Sequence, residues 1–81
     1  MSKKIVVLDR GWVVLGDVEK DDKWYLLLNG FVVRRWGTTQ GLGELAQKGP
    51  LPETKLDPIP LTKFHECKVI MIINCSDEKW K

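Results

Sequence analysis

Short apolar bursts, separated by polar or glycine-containing breaks, recur along this chain and predict strands rather than long helices. Ile5-Val6-Val7-Leu8 is unbroken and ends at Asp9-Arg10-Gly11, which reads as a strand followed by a tight turn. Residues 12–19 are β-branched and aromatic, and Gly16 marks a bulge or a sharp bend. After a polar turn at 20–22, residues 23–28 place Trp24, Leu26 and Leu28 on one face and Tyr25 and Leu27 on the other. Apolar character on both sides suits a strand covered on both faces. Asn29-Gly30 is the strongest hairpin signal, because both residues tolerate positive φ. A bulge that bends a continuing strand is the rival reading. Phe31-Val32-Val33 then leads through Arg34-Arg35-Trp36 to Gly37, where the strand ends.

The period changes over 38–48. Thr38 or Thr39 is placed to cap a helix, and Leu42, Leu45 and Ala46 fall at helical spacing. Glu44 stands early and Lys48 late, before Gly49-Pro50 stops a helix of about two turns. Residues 51–61, rich in proline, predict an extended loop with a brief edge strand at 54–56. Residues 64–74, with Val69-Ile70-Met71-Ile72-Ile73, predict a buried strand, and 76–81 a charged tail. The expected fold is mainly β: one small domain over 1–81, a strongly bent antiparallel barrel of about five strands with one short helix before the last strand. Alternation and helical spacing assign the core to Trp12, Trp24, Leu26, Leu28, Val33, Leu45, Val69, Met71 and Ile73.

Composition adds limits. An 81-residue chain buries about 60–65% of its unfolded surface, so its core is thin and commonly needs a further stabilising device. Cys67 and Cys75 are eight residues apart; on one strand that is about 26 Å, too far for a disulfide. With one His and two separated Cys, the chain offers no four-ligand zinc set. Self-association is the remaining device, so a homo-oligomer is expected. The opening residues do not read as a signal peptide, which predicts a reducing cytoplasm and free thiols. No apolar run is long enough to span a membrane as a helix. A net charge of +2 makes nucleic acid a less favoured partner. His65 has no nucleophile at a readable spacing, so the reading is non-enzymatic, with no cofactor and no metal.

Residues 34–46 are the richest in binding chemistry. Arg34 and Arg35 carry guanidinium forks that match phosphate oxygens. Trp36 offers a stacking face. Thr38, Thr39 and Glu44 add polar groups, and Gly41 and Gly43 allow close backbone approach. Together these eight residues are the expected site for a nucleotide-derived or other phosphate-bearing small molecule. On a strand, however, Arg34 and Arg35 point to opposite faces, so only one can serve a given pocket.

The order of these blocks resembles that of a small family of phage and prophage proteins. The matching parts are D-R-G-W-V at 9–13, L-x-N at 27–29, R-R-W-G-T-T-x-G-L-G-E-L-A at 34–46, L-D-P at 56–58 and the hydrophobic strand at 69–73. Segment 11–33 also resembles the SH3-like and Sm-like small barrels. The phage resemblance implies a protein of the host-cell cytoplasm that blocks or soaks up a host defence component. The leading expectation is a host-defence antagonist that sequesters its ligand in a homo-oligomer. The rivals are a protein–protein inhibitor of a host enzyme and a weak Sm-like nucleic-acid binder.

Overall fold

The computed structural model describes residues 3–37 and 41–80. The chain is mainly β: the described residues form six antiparallel strands and one α-helix. The strands are β1 (Lys3–Leu8), β2 (Val13–Asp21), β3 (Trp24–Arg35), β4 (Lys55–Ile59), β5 (Thr62–His65) and β6 (Val69–Asn74); α1 is Leu42–Lys48. The sheet order is β4-β3-β2-β1-β6, with β5 also on β3. The long β3 thus carries β4 beside its second half and β5 beside its first.

Barrel closure is not made among the described residues, because the terminal strands β4 and β6 do not pair. The helix precedes three strands rather than the last one alone. The expected buried strand at 64–74 is split by a 3₁₀ turn at Glu66–Lys68, so β5 and β6 serve different neighbours. The brief edge strand expected at 54–56 is the longer β4.

Asn29-Gly30 makes a bulge, not a hairpin. Leu15 pairs with Phe31 and Asp17 with Leu28, so β3 carries one extra residue there. Asn29 adopts φ 51°, and its Nδ2 donates to Oδ2 of the buried Asp17 at 3.2 Å. Gly30 is required by contact: a Cβ there would lie 2.5 Å from Leu27 Cδ2.

The extra residue also inverts the face parity of β3. Before the bulge, Tyr25 and Leu27 share a face; after it, Val32 joins that face and Phe31 and Val33 take the other. Leu27, Val6, Val14 and Phe64 form one buried cluster. Ile5, Val13, Leu15, Val33, Leu45, Ala46, Cys75 and Trp80 form the second, between sheet and helix. Each fully buried aliphatic side chain contributes about 1.5–3 kcal/mol.

This corrects the expected core. Val33 and Leu45 are buried, and Val69 and Ile73 pack against the clusters. Leu26 and Leu28 are only half-buried, and Trp12, Trp24 and Met71 are exposed at 58%, 45% and 50%. The covering helix reaches Val33 but not the far end of β3, where Trp24, Leu26 and Leu28 stand. Nor is the C-terminal segment only a charged tail: it turns at 77–79 and buries Trp80. No helix among the described residues is long and apolar enough to cross a membrane.

Candidate functional site

The segment singled out by sequence lies where the end of β3, the start of α1 and the loop before β4 meet. Arg34 Nη1 lies 3.1 Å from Asp57 Oδ2, and Arg35 Nη1 3.8 Å from Glu53 Oε2. Both pairs are exposed, so each is worth about 0–1 kcal/mol and leaves its arginine open to competition. The Trp36 carbonyl accepts from Thr54 Oγ1 at 2.7 Å. Gly37, at φ 68°, lets the chain pass against Glu53 and Thr54, where a Cβ would sit 2.5 Å from their backbone.

The Trp36 ring, 42% exposed, lies beside Gly41, 3.9 Å from the position a Cβ there would take. Gly41 is itself the N-cap residue of α1, at φ 85°, in place of the expected threonine. Thr38 and Thr39 lie outside the described residues. Glu44 is half-buried in the first turn, and Gly43 faces open space. The structure therefore brings Arg35 to Glu53, Trp36 to Thr54 and the Trp36 ring to Gly41. Arg34 is drawn to Asp57 on β4.

A second site was not read from the sequence. An open groove of about 350 Å³ is lined by Leu8, Asp9, Arg10, Trp12, Phe64 and Lys68. It forms where β1 runs into the 3₁₀ turn Asp9–Gly11 and the turn Glu66–Lys68 comes alongside. Lys68 Nζ lies 3.8 Å from Asp9 Oδ2, so the charge of Lys68 is partly answered within the groove. Among the described residues no acid pairs with Arg10.

Arg10 is held at φ 65°, ψ 20°, a left-handed conformation that costs about 1–2 kcal/mol for a residue with a side chain. Such strain collects at functional positions. The groove thus offers an exposed indole, an apolar floor from Leu8 and Phe64, and one uncompensated guanidinium. The Asp-Arg-Gly-Trp run was legible as a turn followed by an aromatic. What it could not reveal was Phe64 and Lys68 folding back beside it from more than fifty residues away.

His65 Nδ1 accepts from the Cys67 N–H at 3.1 Å, and the ring meets Trp24 edge-on at 5.0 Å. It caps a turn and packs on an aromatic. Cys67 is exposed and Cys75 buried, both as free thiols. Burial pushes the Cys75 thiol up to about 11. No cluster of three His, Cys, Asp or Glu side chains among the described residues is placed to hold a metal ion. Neither a protein-family model nor a curated protein sequence matches the chain.

Proposed function

We propose that this is a non-enzymatic binding protein that sequesters a small molecule with a planar ring and an anionic group, of the nucleotide-derived class. The seat of binding is the groove at Arg10 and Trp12. The observation that carries the reading is the pairing of an exposed indole with a strained arginine that no acid pairs among the described residues, on an open groove of about 350 Å³ with an apolar floor. That volume is within the usual range for small-molecule sites, which combine apolar walls with a few placed polar groups. Trp12 stacks on the ring. Arg10 holds the anion through charge-assisted bonds. Asp9 disfavours a ligand carrying excess negative charge near that wall.

The phage resemblance makes a host signalling nucleotide the candidate source, held in the host cytoplasm without turnover. The small, bent β fold supplies the walls that such a site needs.

The test is calorimetric titration of linear and cyclic nucleotides into the wild type and into Trp12→Ala, Arg10→Ala and Arg35→Ala. Binding that falls about ten- to a hundred-fold in Arg10→Ala and Trp12→Ala, but not in Arg35→Ala, supports the groove. Loss in Arg35→Ala alone moves the site to the segment around Arg35, Trp36 and Glu44. No binding by any nucleotide overturns the small-molecule reading.

A further inference from the structure

β6 is an edge strand: it pairs with β1 and with no other strand among the described residues. The phase of the ladder fixes which of its backbone groups face outward. The Cys75 N–H donates to the Lys3 carbonyl at 3.1 Å, and on the other side of β1 the Leu8 N–H donates to the Trp12 carbonyl at 2.7 Å. In an antiparallel ladder hydrogen-bonded pairs alternate. Ile73 and Met71 therefore bond to β1, while Ile72 and Asn74 turn N–H and C=O toward the open side.

The two edges of the sheet are built differently. The β4 and β5 edge carries Pro58, Pro60, Lys55, Asp57 and Lys63, the devices by which proteins discourage strand addition. β6 reads Val69-Ile70-Met71-Ile72-Ile73-Asn74, with no charge and no proline. Ile70, Met71 and Ile72 are 63%, 50% and 38% exposed. An apolar, unprotected edge presenting unpaired backbone groups is a pairing surface.

We infer that its occupant is a second copy of this chain, with the two β6 strands antiparallel about a two-fold axis at Ile72. This register sets Ile72 against its copy, Met71 against Ile73 and Ile70 against Asn74. The outward N–H and C=O groups of Ile72 and Asn74 then find partners on the facing strand. Charge favours the same occupant. Lys68 stands just before β6, and Asp77 and Glu78 stand just after it. Antiparallel pairing brings each Lys68 to the stretch where the other copy turns away at Asp77, so the contact occurs twice, as an isologous interface requires. The Asp9 contact of Lys68 is long and exposed and does not prevent this. The result is one sheet continuous through two copies.

Light scattering and native mass spectrometry of the purified chain test the inference at tens of micromolar. The wild type is expected as a dimer. Ile72→Lys places a charge on the pairing edge and should give a monomer with an unchanged circular dichroism spectrum. Because that variant risks misfolding, a second series uses surface charges alone. Lys68→Glu should raise the dimer dissociation constant roughly three- to thirty-fold. Lys68→Glu combined with Asp77→Lys should restore it. A monomeric wild type overturns the inference, as does a dimer unaffected by both Ile72→Lys and Lys68→Glu.

Discussion

The Trp80 indole closes the C-terminal end of α1: its Nε1–H donates to the Leu45 carbonyl at 3.0 Å and is shared with the Ala46 carbonyl at 3.2 Å. The last carbonyls of a helix have no partner within it. Here the Leu45 carbonyl accepts from the Gly49 N–H just beyond the helix at 3.0 Å, and Trp80 adds a second donor while filling the cluster beneath Leu45. The Ser76 N–H adds a bond to Ala46 at 2.8 Å. The C-terminal segment is thus a structural strap over the helix.

Trp80→Ala should therefore destabilise the fold by about 3–5 kcal/mol. Trp80→Phe, which keeps much of the packing but not the donor, should cost about 0.5–1.5 kcal/mol, because the Leu45 carbonyl still accepts from the Gly49 N–H and the Ala46 carbonyl from the Ser76 N–H. Urea unfolding followed by circular dichroism measures both. Equal, small losses would show that the strap does not hold the helix.

The bulge at Asn29 gives a separable test. Asn29→Gly keeps the positive φ and loses the bond to Asp17, whereas Asn29→Ala loses both. Asn29→Ala should be about 1–2 kcal/mol less stable than Asn29→Gly, the cost of the left-handed conformation. Thermal melts of the pair, compared at one pH, check the difference.

Leu27 and Leu26 adjoin on β3 yet should behave differently. Leu27 is fully buried, so Leu27→Ala should cost about 2–5 kcal/mol. Leu26 is half-buried on the less covered face, and Leu26→Ala should cost markedly less. The reverse order in denaturant midpoints would mean that the bulge does not switch the faces.

Cys75 predicts a dependence on alkaline pH. Its thiol ionises near 9.0 when free and at about 11 in the fold, because burial opposes the thiolate. Between those values the unfolded chain loses the proton while the folded one keeps it. Its contribution is therefore complete below pH 9 and lost as pH rises toward 11, on the order of 2 kcal/mol in all. Cys75→Ala should flatten this part of the stability profile, read as the difference between the two proteins from pH 8 to 11.

Local chemistry alone determined much of this protein. β-branched runs, polar turns and the helical spacing of Leu42, Leu45 and Ala46 are short-range signals, and they located the early strands, the helix and the Asp9-Arg10-Gly11 turn. Tertiary structure decided what depends on partners distant in sequence. Asn29-Gly30 reads first as a hairpin, with a bulge as the rival, because its φ preference admits both, and only the pairing of β2 with β3 selected the bulge. That one residue then reassigned which side chains of β3 are buried, because strand faces alternate with a period of two. Trp80 reads as part of a charged tail until α1 offers it carbonyls. The arginine-rich segment was legible as chemistry, but its acids, Asp57 and Glu53, arrive from another strand and loop. The groove at Trp12 was not legible as a site, since Phe64 and Lys68 join Arg10 only when β5 and the turn after it fold back beside the end of β1.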